Sequence, residues 1–323
     1  MPIIRYRDEE YTCEPGETVL DCLERHGVEV PSSCRAGVCQ TCLMQALEGE
    51  VPASGQQGLK ETMVAQGYFL ACVTKPEGDL TVTLPEASQV RVPAVVLEKT
   101  LLTPFITRLR LKPRKKYDWH PGQFLNLFNG NLNRSYSIAS LPEEGFVELH
   151  IARVEGGKMS GWIFDNLAEG DEVEISRPLG NMFYIPGRPE QPLLMIGTGT
   201  GLAPLYGIIR DALKQGHSGE IWLYHGSRSV EGLYLGEALR ALEAEHGNFH
   251  YRPCLSQGEP PAGSGITAGR PNEVALAEHP ELKDWRVFLC GNPDMVKAAQ
   301  RQVFLAGASM SDILSDPFEP SGS

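Results

Sequence analysis

The chain has 323 residues, 41% of them hydrophobic and 22% charged, with a net charge of −12. That composition is ordinary for a globular protein of two or three domains, and the acidity disfavours nucleic acid, whose phosphates need a basic surface. No apolar run approaches the roughly 20 residues of a membrane helix, and MPIIRYRDEE lacks a signal-peptide core, so a reducing cytoplasm and no membrane contact are expected.

The acidity is concentrated at the start. Residues 1–90 hold 14 Asp/Glu and 6 Lys/Arg, a net of −8 (6 − 14). Docking on a basic patch and simple solubility account for this equally well. IIRYRDEEYTCEP alternates as a hairpin does, with its turn expected at Asp8-Glu9-Glu10. Thr18 is placed to N-cap a short helix, TVLDCLERHG, whose Val19, Leu20, Cys22 and Leu23 form an apolar face. The stretch CRAGVCQTC follows, then the strand-like YFLACVT at 68–74 and DLTVTLP at 79–85. Short strands, one helix and a long cysteine loop predict a compact α+β module over residues 1–89.

The cysteines are spaced Cys34-x4-Cys39-x2-Cys42-x29-Cys72, with three on one loop and the fourth expected from the strand at 68–74. This is the known spacing of plant-type [2Fe–2S] ferredoxins, and four thiolates suit soft iron. Ala36, Gly37 and Val38 are small enough for a loop to wrap a cluster closely. Zinc is the competing reading, but its structural sites pair two short knuckles rather than one triple knuckle with a distant fourth ligand. Disulfides fit a reducing compartment poorly. Cys13 and Cys22 fall outside the pattern and read as small core residues.

From residue 90 to 189 the segments ITRLRLKP, GQFLNLF, RSYSIAS, FVELHIARV and DEVEISRPLG are short, alternating and bounded by Gly/Pro turns, which predicts a small antiparallel barrel. From 190 to 323, strands alternate with helices: PLLMIG with LAPLYGIIRDALKQG, EIWLYHG with LGEALRALEAEHG, and RVFLCG with PDMVKAAQRQVFLAG. That alternation predicts a doubly wound parallel α/β sheet. The turn Gly197-Thr198-Gly199-Thr200-Gly201-Leu202-Ala203-Pro204 suits a pyrophosphate at a helix start, although Leu202 stands where the dinucleotide fingerprint has its third glycine. Cys290, taken alone, reads as a buried small hydrophobe.

RSYS at 134–137, GTGTGLAP at 197–204 and CGNPDM at 290–295 resemble motifs of the ferredoxin–NAD(P)+ reductase superfamily: Arg-x-Tyr-Ser/Thr, Gly-x-Gly-x-Gly-x-x-Pro and Cys-Gly-x-Pro-x-Met. The resemblance spans the whole chain and implies a β-grasp ferredoxin, a flavin barrel and a nucleotide domain. It implies that Arg134 pairs with the flavin nucleotide's phosphate, that Tyr136 packs on the isoalloxazine and that Ser137 bonds near N5. His150, Ile151 and Ala152 would line the flavin, and Gly157, Lys158, Met159 and Ser160 would bind its pyrophosphate, which favours FAD over FMN. His150 alone is equally consistent with a core position. In the nucleotide domain the resemblance assigns Gly197, Thr198, Gly199, Thr200, Gly201 and Pro204 to the dinucleotide. It sets Cys290, followed by Gly291, Pro293 and Met295, beside the nicotinamide C4. Phe318 would shield the flavin.

Relatives specific for NADPH carry Ser-Arg after the third strand, whereas here Ser256 precedes Gln257. NADH is therefore expected, with Arg228 a possible substitute cation. The implied activity is that of an oxygenase reductase component: hydride from NADH to FAD, then single electrons through the [2Fe–2S] centre to a protein acceptor. The chain is expected to work as a monomer. A benzoate-type ring dioxygenase, or its ferredoxin, is the expected acceptor. A di-iron monooxygenase or a deoxysugar dehydrase is the alternative, and a non-enzymatic redox sensor is the reading from a different class.

Overall fold

Alternating residues at the N-terminus build the first hairpin of the computed structural model, which describes residues 1–32, 35–37, 40, 42–85, 91–130 and 132–318. The expected ligands Cys34 and Cys39 lie outside the described residues. Within the first unit, Met1–Val90, β1 (Ile3–Tyr6) pairs antiparallel with β2 (Glu9–Thr12). Its turn is Arg7–Asp8, with φ of 52° and 67°, not Asp8-Glu9-Glu10. Two left-handed residues match the right-handed twist of the strands, so Glu9 and Glu10 join the strand, where Glu10 accepts from Arg5 at 2.9 Å.

Helix α1 (Val19–Arg25) begins as the sequence predicts, with Thr18 Oγ1 accepting from the Asp21 N–H at 3.1 Å. Its buried face, Val19, Leu20, Cys22 and Leu23, packs with Ile4, Met44, Phe69 and Leu80. These come from β1, β3 (Leu43–Glu48), β4 (Tyr68–Leu70) and β5 (Leu80–Thr83); a second short helix, α2 (Glu61–Ala65), precedes β4. The sheet order is β2-β1-β5-β3-β4, with only β1 and β5 parallel. Strand β4 stops at Leu70, so Cys72 sits on a turn and not on a strand. The reason is local: the Val73 N–H and the Thr74 hydroxyl both donate to Leu70 O, at 3.1 and 2.9 Å, which folds the chain back.

The second unit, Arg91–Ser323, holds two sheets. β6 (Val92–Thr103), β7 (Ile106–Pro113), β8 (Phe124–Asn129), β9 (Leu132–Ser137), β10 (Val147–Ala152) and β11 (Glu172–Ile175) run antiparallel in the order β10-β7-β6-β11-β8-β9. A bridge between Ile138 and Leu149 joins the two ends and closes the barrel. Helix α3 (Lys158–Asp165) covers it, and Lys99 Nζ donates to the Ile163 and Phe164 carbonyls at its C-terminal end, at 3.1 and 3.0 Å.

The second sheet is parallel throughout, in the order β15-β14-β13-β12-β16-β17. Its strands are β12 (Leu193–Thr198), β13 (Ile221–Ser227), β14 (Phe249–Leu255), β15 (Thr267–Ala268), β16 (Arg286–Gly291) and β17 (Ile313–Pro317). Period-two alternation splits the strand side chains between two cores. Leu193 and Met195 share a cluster with α4 (Leu202–Lys214) and α5 (Gly236–Glu245). Leu194 and Ile196 share one with α6 (Pro271–Glu278) and α7 (Pro293–Leu305). The chain moves outward from β12 to β15 and then crosses to β16. The strand order therefore reverses beside β12, the place where such sheets bind ligands. Among the described residues no helix is long and apolar enough to cross a membrane.

Candidate active site

At that reversal two glycine-bearing turns interlock. Gly197 on β12 is in register with Cys290 on β16. A Cβ on Gly201 would lie 2.5 Å from the Cys290 carbonyl oxygen, and one on Gly291 would lie 2.5 Å from Thr198 O. Thr198 Oγ1 accepts from the Asn292 N–H at 2.9 Å, and Asn292 Oδ1 caps α7 by accepting from the Asp294 and Met295 N–H groups. The glycines are thus required by close approach of backbone. Pro204 is buried in the first turn of α4, where its missing N–H has no partner to lose. We expect Gly201→Ala to weaken dinucleotide binding by about tenfold or more, because the turn must open to admit the methyl group. Titration with NAD+ checks this, and unchanged affinity would refute it.

His225 was not singled out from the sequence. It is fully buried at the end of β13, and its Nε2–H donates to Gly199 O at 3.1 Å, holding the loop's one left-handed glycine (φ 54°). Burial lowers its pKa to about 4, so it stays neutral at physiological pH.

Asp316 was also missed. It lies on β17 opposite Cys290, and its Oδ2 accepts from the Ser137 hydroxyl at 2.9 Å. Burial pushes its carboxyl up to about 6. Burial, then Asp316, pushes the Cys290 thiol well above its usual pKa, so Cys290 is a neutral shape and not a nucleophile. Barrel and sheet therefore meet at Ser137, Asp316 and Cys290, which come from three distant parts of the chain.

The flavin residues divide by role. On β9, Arg134 and Tyr136 share one face and Ser137 takes the other. The Arg134 guanidinium donates to Asn133 O at 2.6 Å, leaving most of its donors for an anion. The first turn of α3 has no side-chain cap, so its backbone N–H groups are open to phosphate. This donor set fits a flavin dinucleotide. Lys158 is exposed beside that turn, but Ile151 and Met159 point into the barrel core. The Ser160 hydroxyl closes the Gly157 turn by accepting from the Val154 N–H at 3.1 Å. The His150 ring is committed to Glu148 at 3.0 Å and the Tyr234 hydroxyl at 3.1 Å. Burial opposes the Glu148 charge, yet bonds from His150 and Arg110 hold its carboxyl at about 2.

A cleft of about 810 Å³ runs across the strand ends, lined among others by Ala152, Thr198, Thr200, Met295 and Phe318. Gly291 O accepts from the Phe318 N–H at 2.8 Å, which ties Phe318 to the other residues of the cleft lining. Arg228, Ser256 and Gln257 also line it, joined by Arg270, for which the sequence carries no motif.

In the first unit, Cys42 and Cys72 are buried free thiols, and Cys42 O accepts from the Ala71 N–H at 3.0 Å. Gly37, with φ of 73°, turns the loop between the undescribed ligand positions and packs against Val73. Two soft thiols brought together from positions 42 and 72, beside a loop turned by a left-handed glycine, fit an iron–sulfur cluster.

The chain matches the model of a 2Fe-2S iron-sulfur cluster binding domain over residues 4–77, an oxidoreductase FAD-binding domain over 94–184 and an oxidoreductase NAD-binding domain over 195–301. It is 34% identical over 314 residues, 95% of each chain, to the ferredoxin–NAD(P)+ reductase component of the naphthalene 1,2-dioxygenase system of Pseudomonas putida. It is 37% identical to the reductase subunit of an aromatic O-demethylase of Amycolatopsis sp., over 95% of this chain and 96% of that one. The crystal structure of the Amycolatopsis cytochrome P450 reductase GcoB superposes with a TM-score of 0.69 at 34% identity, covering 99% of each chain. The interlocked nucleotide turns, the flavin barrel and the clustered thiols therefore have one common source: the chain belongs to the ferredoxin–NAD(P)+ reductase superfamily, among the three-module reductase components of bacterial oxygenase systems.

Proposed function

We propose that the chain draws electrons from a nicotinamide nucleotide and delivers them singly to the oxygenase component of a ring-hydroxylating Rieske-type dioxygenase or to its ferredoxin. The observation that carries this is the meeting of Cys290, Ser137 and Asp316 next to Gly291, which lines the nucleotide cleft. Bound FAD would supply the exchange between a hydride donor and one-electron carriers, and a [2Fe–2S] centre on Cys34, Cys39, Cys42 and Cys72 the one-electron outlet. The chain's residues do the rest. The Gly197–Gly201 turn and the start of α4 hold the pyrophosphate. Cys290 excludes water and fixes the distance of the reacting ring, while Ser137 and Asp316 set charge and hydrogen bonding beside it. Arg134 and the first turn of α3 anchor the flavin's phosphates.

The relatives named for naphthalene dioxygenase support the dioxygenase acceptor, and those named for the O-demethylase and the P450 reductase favour a cytochrome P450 as a second reading. The working unit is taken as one chain in a reducing compartment such as the cytoplasm, which suits six described cysteines that are all free thiols. NAD(P)H-driven reduction of cytochrome c by the purified protein tests the function. Rapid turnover is expected, and bound cofactors without turnover would indicate a sensor instead. Cross-linking in the source cell then identifies the acceptor.

A further inference from the structure

Two polar residues of the barrel face outward and yet are buried. Along β10, Val147, Leu149 and Ile151 fill the barrel core, so Glu148 and His150 point away from it. Each is only 4% exposed. Tyr206 of α4 and Tyr234, two residues before α5, stand over His150, with ring centroids 6.5 and 5.4 Å from its own. Both tyrosines otherwise belong to an apolar cluster with Ile106, Leu202, Leu205 and Cys290. The 3.1 Å hydrogen bond between His150 Nδ1 and the Tyr234 hydroxyl is therefore a polar bond set within an apolar contact. Its direction is fixed from the barrel side. Against the cost of burial, bonds from His150 and Arg110 hold Glu148 as a carboxylate, which can only accept. His150 Nε2 then carries the hydrogen of their 3.0 Å contact, and Nδ1 accepts from the Tyr234 hydroxyl, which burial keeps protonated. Arg110 also bonds Glu98 at 2.7 Å, which anchors Glu148 in turn. The Tyr234 ring also meets that of His225 edge-on, with centroids 5.7 Å apart. His225 donates to Gly199 O, and its Nδ1 has no hydrogen-bond partner among the described residues, so Tyr234 and Gly199 together orient it. The contacts run Glu148, His150, Tyr234, His225, Gly199, and both ends reach the cleft. Ala152, two residues beyond His150 on β10, lines it, as do Thr198 and Thr200 on either side of Gly199.

We propose that His150 and Tyr234 are positioning residues: their bond locks the flavin-lining strand to the nucleotide turn and so holds the two reacting rings at one separation. This rests on reading β10 as a flavin strand and the cleft as the nicotinamide nucleotide site. Apolar packing is non-directional and leaves a joint free to slide. A buried hydrogen bond has one geometry and leaves an unsatisfied atom when it breaks, which makes the same joint stiff. Stiffness counts here because transfer between two bound rings falls steeply when they are displaced by as little as about 1 Å.

Tyr234→Phe removes the bond and keeps the ring. In the full chain loaded with FAD, the NADH–ferricyanide kcat is expected to fall about tenfold, while calorimetry gives an NAD+ affinity within about twofold of wild type. Hydrogen exchange, which needs no turnover, should become faster in both segments that the bond joins, 147–152 and 197–204. At the other partner, His150→Asn keeps an acceptor in place of Nδ1 and should retain most of kcat, whereas His150→Leu should match Tyr234→Phe. That pair carries the test if Tyr234→Phe does not fold. An unchanged kcat in Tyr234→Phe, faster exchange in only one of the two segments, or equal losses in the asparagine and leucine variants would overturn the proposal. A wild type that neither binds NAD+ nor reduces ferricyanide with NADH would overturn the nucleotide-site reading itself and this proposal with it.

Discussion

Asp316→Asn is expected to lower NAD(P)H–ferricyanide turnover by about a hundredfold, with a smaller effect on nucleotide affinity. The carboxylate faces Ser137 on one side and Cys290 on the other. As the nicotinamide ring gives up its hydride it gains positive charge, and a half-buried anion placed there stabilises that state more than the ground state. The pH dependence follows. Burial raises the folded carboxyl from 3.8 to about 6. Turnover should rise with pH through an inflection near 6, as the carboxylate forms, and the asparagine variant should lack that inflection. Stability runs the other way. Between about pH 4 and 6 the folded chain holds a proton that the unfolded chain has released. The stability contributed by this group is present at low pH and lost as pH rises through 6. Asp316→Asn should therefore unfold at a higher temperature than wild type at pH 7.5, since a neutral amide replaces a half-buried, partly desolvated charge. A wild-type rate that is flat from pH 5 to 7.5, or normal turnover in the variant, would remove Asp316 from the chemistry.

Asp316 also shows where the sequence stops being informative. Cluster ligands announce themselves because three of the four must share one loop, so their spacing is a local property. The glycine turn and CGNPDM are legible for the same reason: each is a strand end entering a helix. Asp316 reaches Ser137 across 179 residues, and only the parallel pairing of β17 with β16 brings it there. The available signal was weak: a single acid in the short stretch ILSDP, which shows no alternation to place it on a strand face. His225 reads as an ordinary strand residue until Gly199 is seen above it. Arg270 is hidden because β15 has two residues and α6 only eight, too few for a periodic pattern. β6 is hard to read because VPAVVLEKTLLT has a proline at its second position and resembles a linker, although Pro93 is one residue from the end of the pairing with β11. The hairpin turn slipped to Arg7–Asp8 because two-residue turns are selected by strand twist, which outweighs side-chain preference.

Cys42→Ser separates the two halves of the electron path. It should abolish the visible absorption of the cluster and cut cytochrome c reduction by about a hundredfold or more, since a hydroxyl is a poor ligand for soft iron. Ferricyanide reduction should persist at near wild-type rate, because the Cys290–Ser137–Asp316 site lies wholly within the second unit and is untouched. Cys254→Ser is the matched control. Cys254 is fully buried beneath the nucleotide sheet, far from Cys42 in sequence and outside the ligand pattern, so the variant pays any core penalty yet keeps the cluster. Selective loss of the one-electron acceptor in Cys42→Ser, with both acceptors served in Cys254→Ser, means that the thiol-bound centre lies downstream of the nucleotide site. If Cys42→Ser loses both activities in proportion while still binding FAD, the order is wrong. The first unit would then be needed for reaction at the nucleotide itself, and not only for the delivery of electrons to a partner.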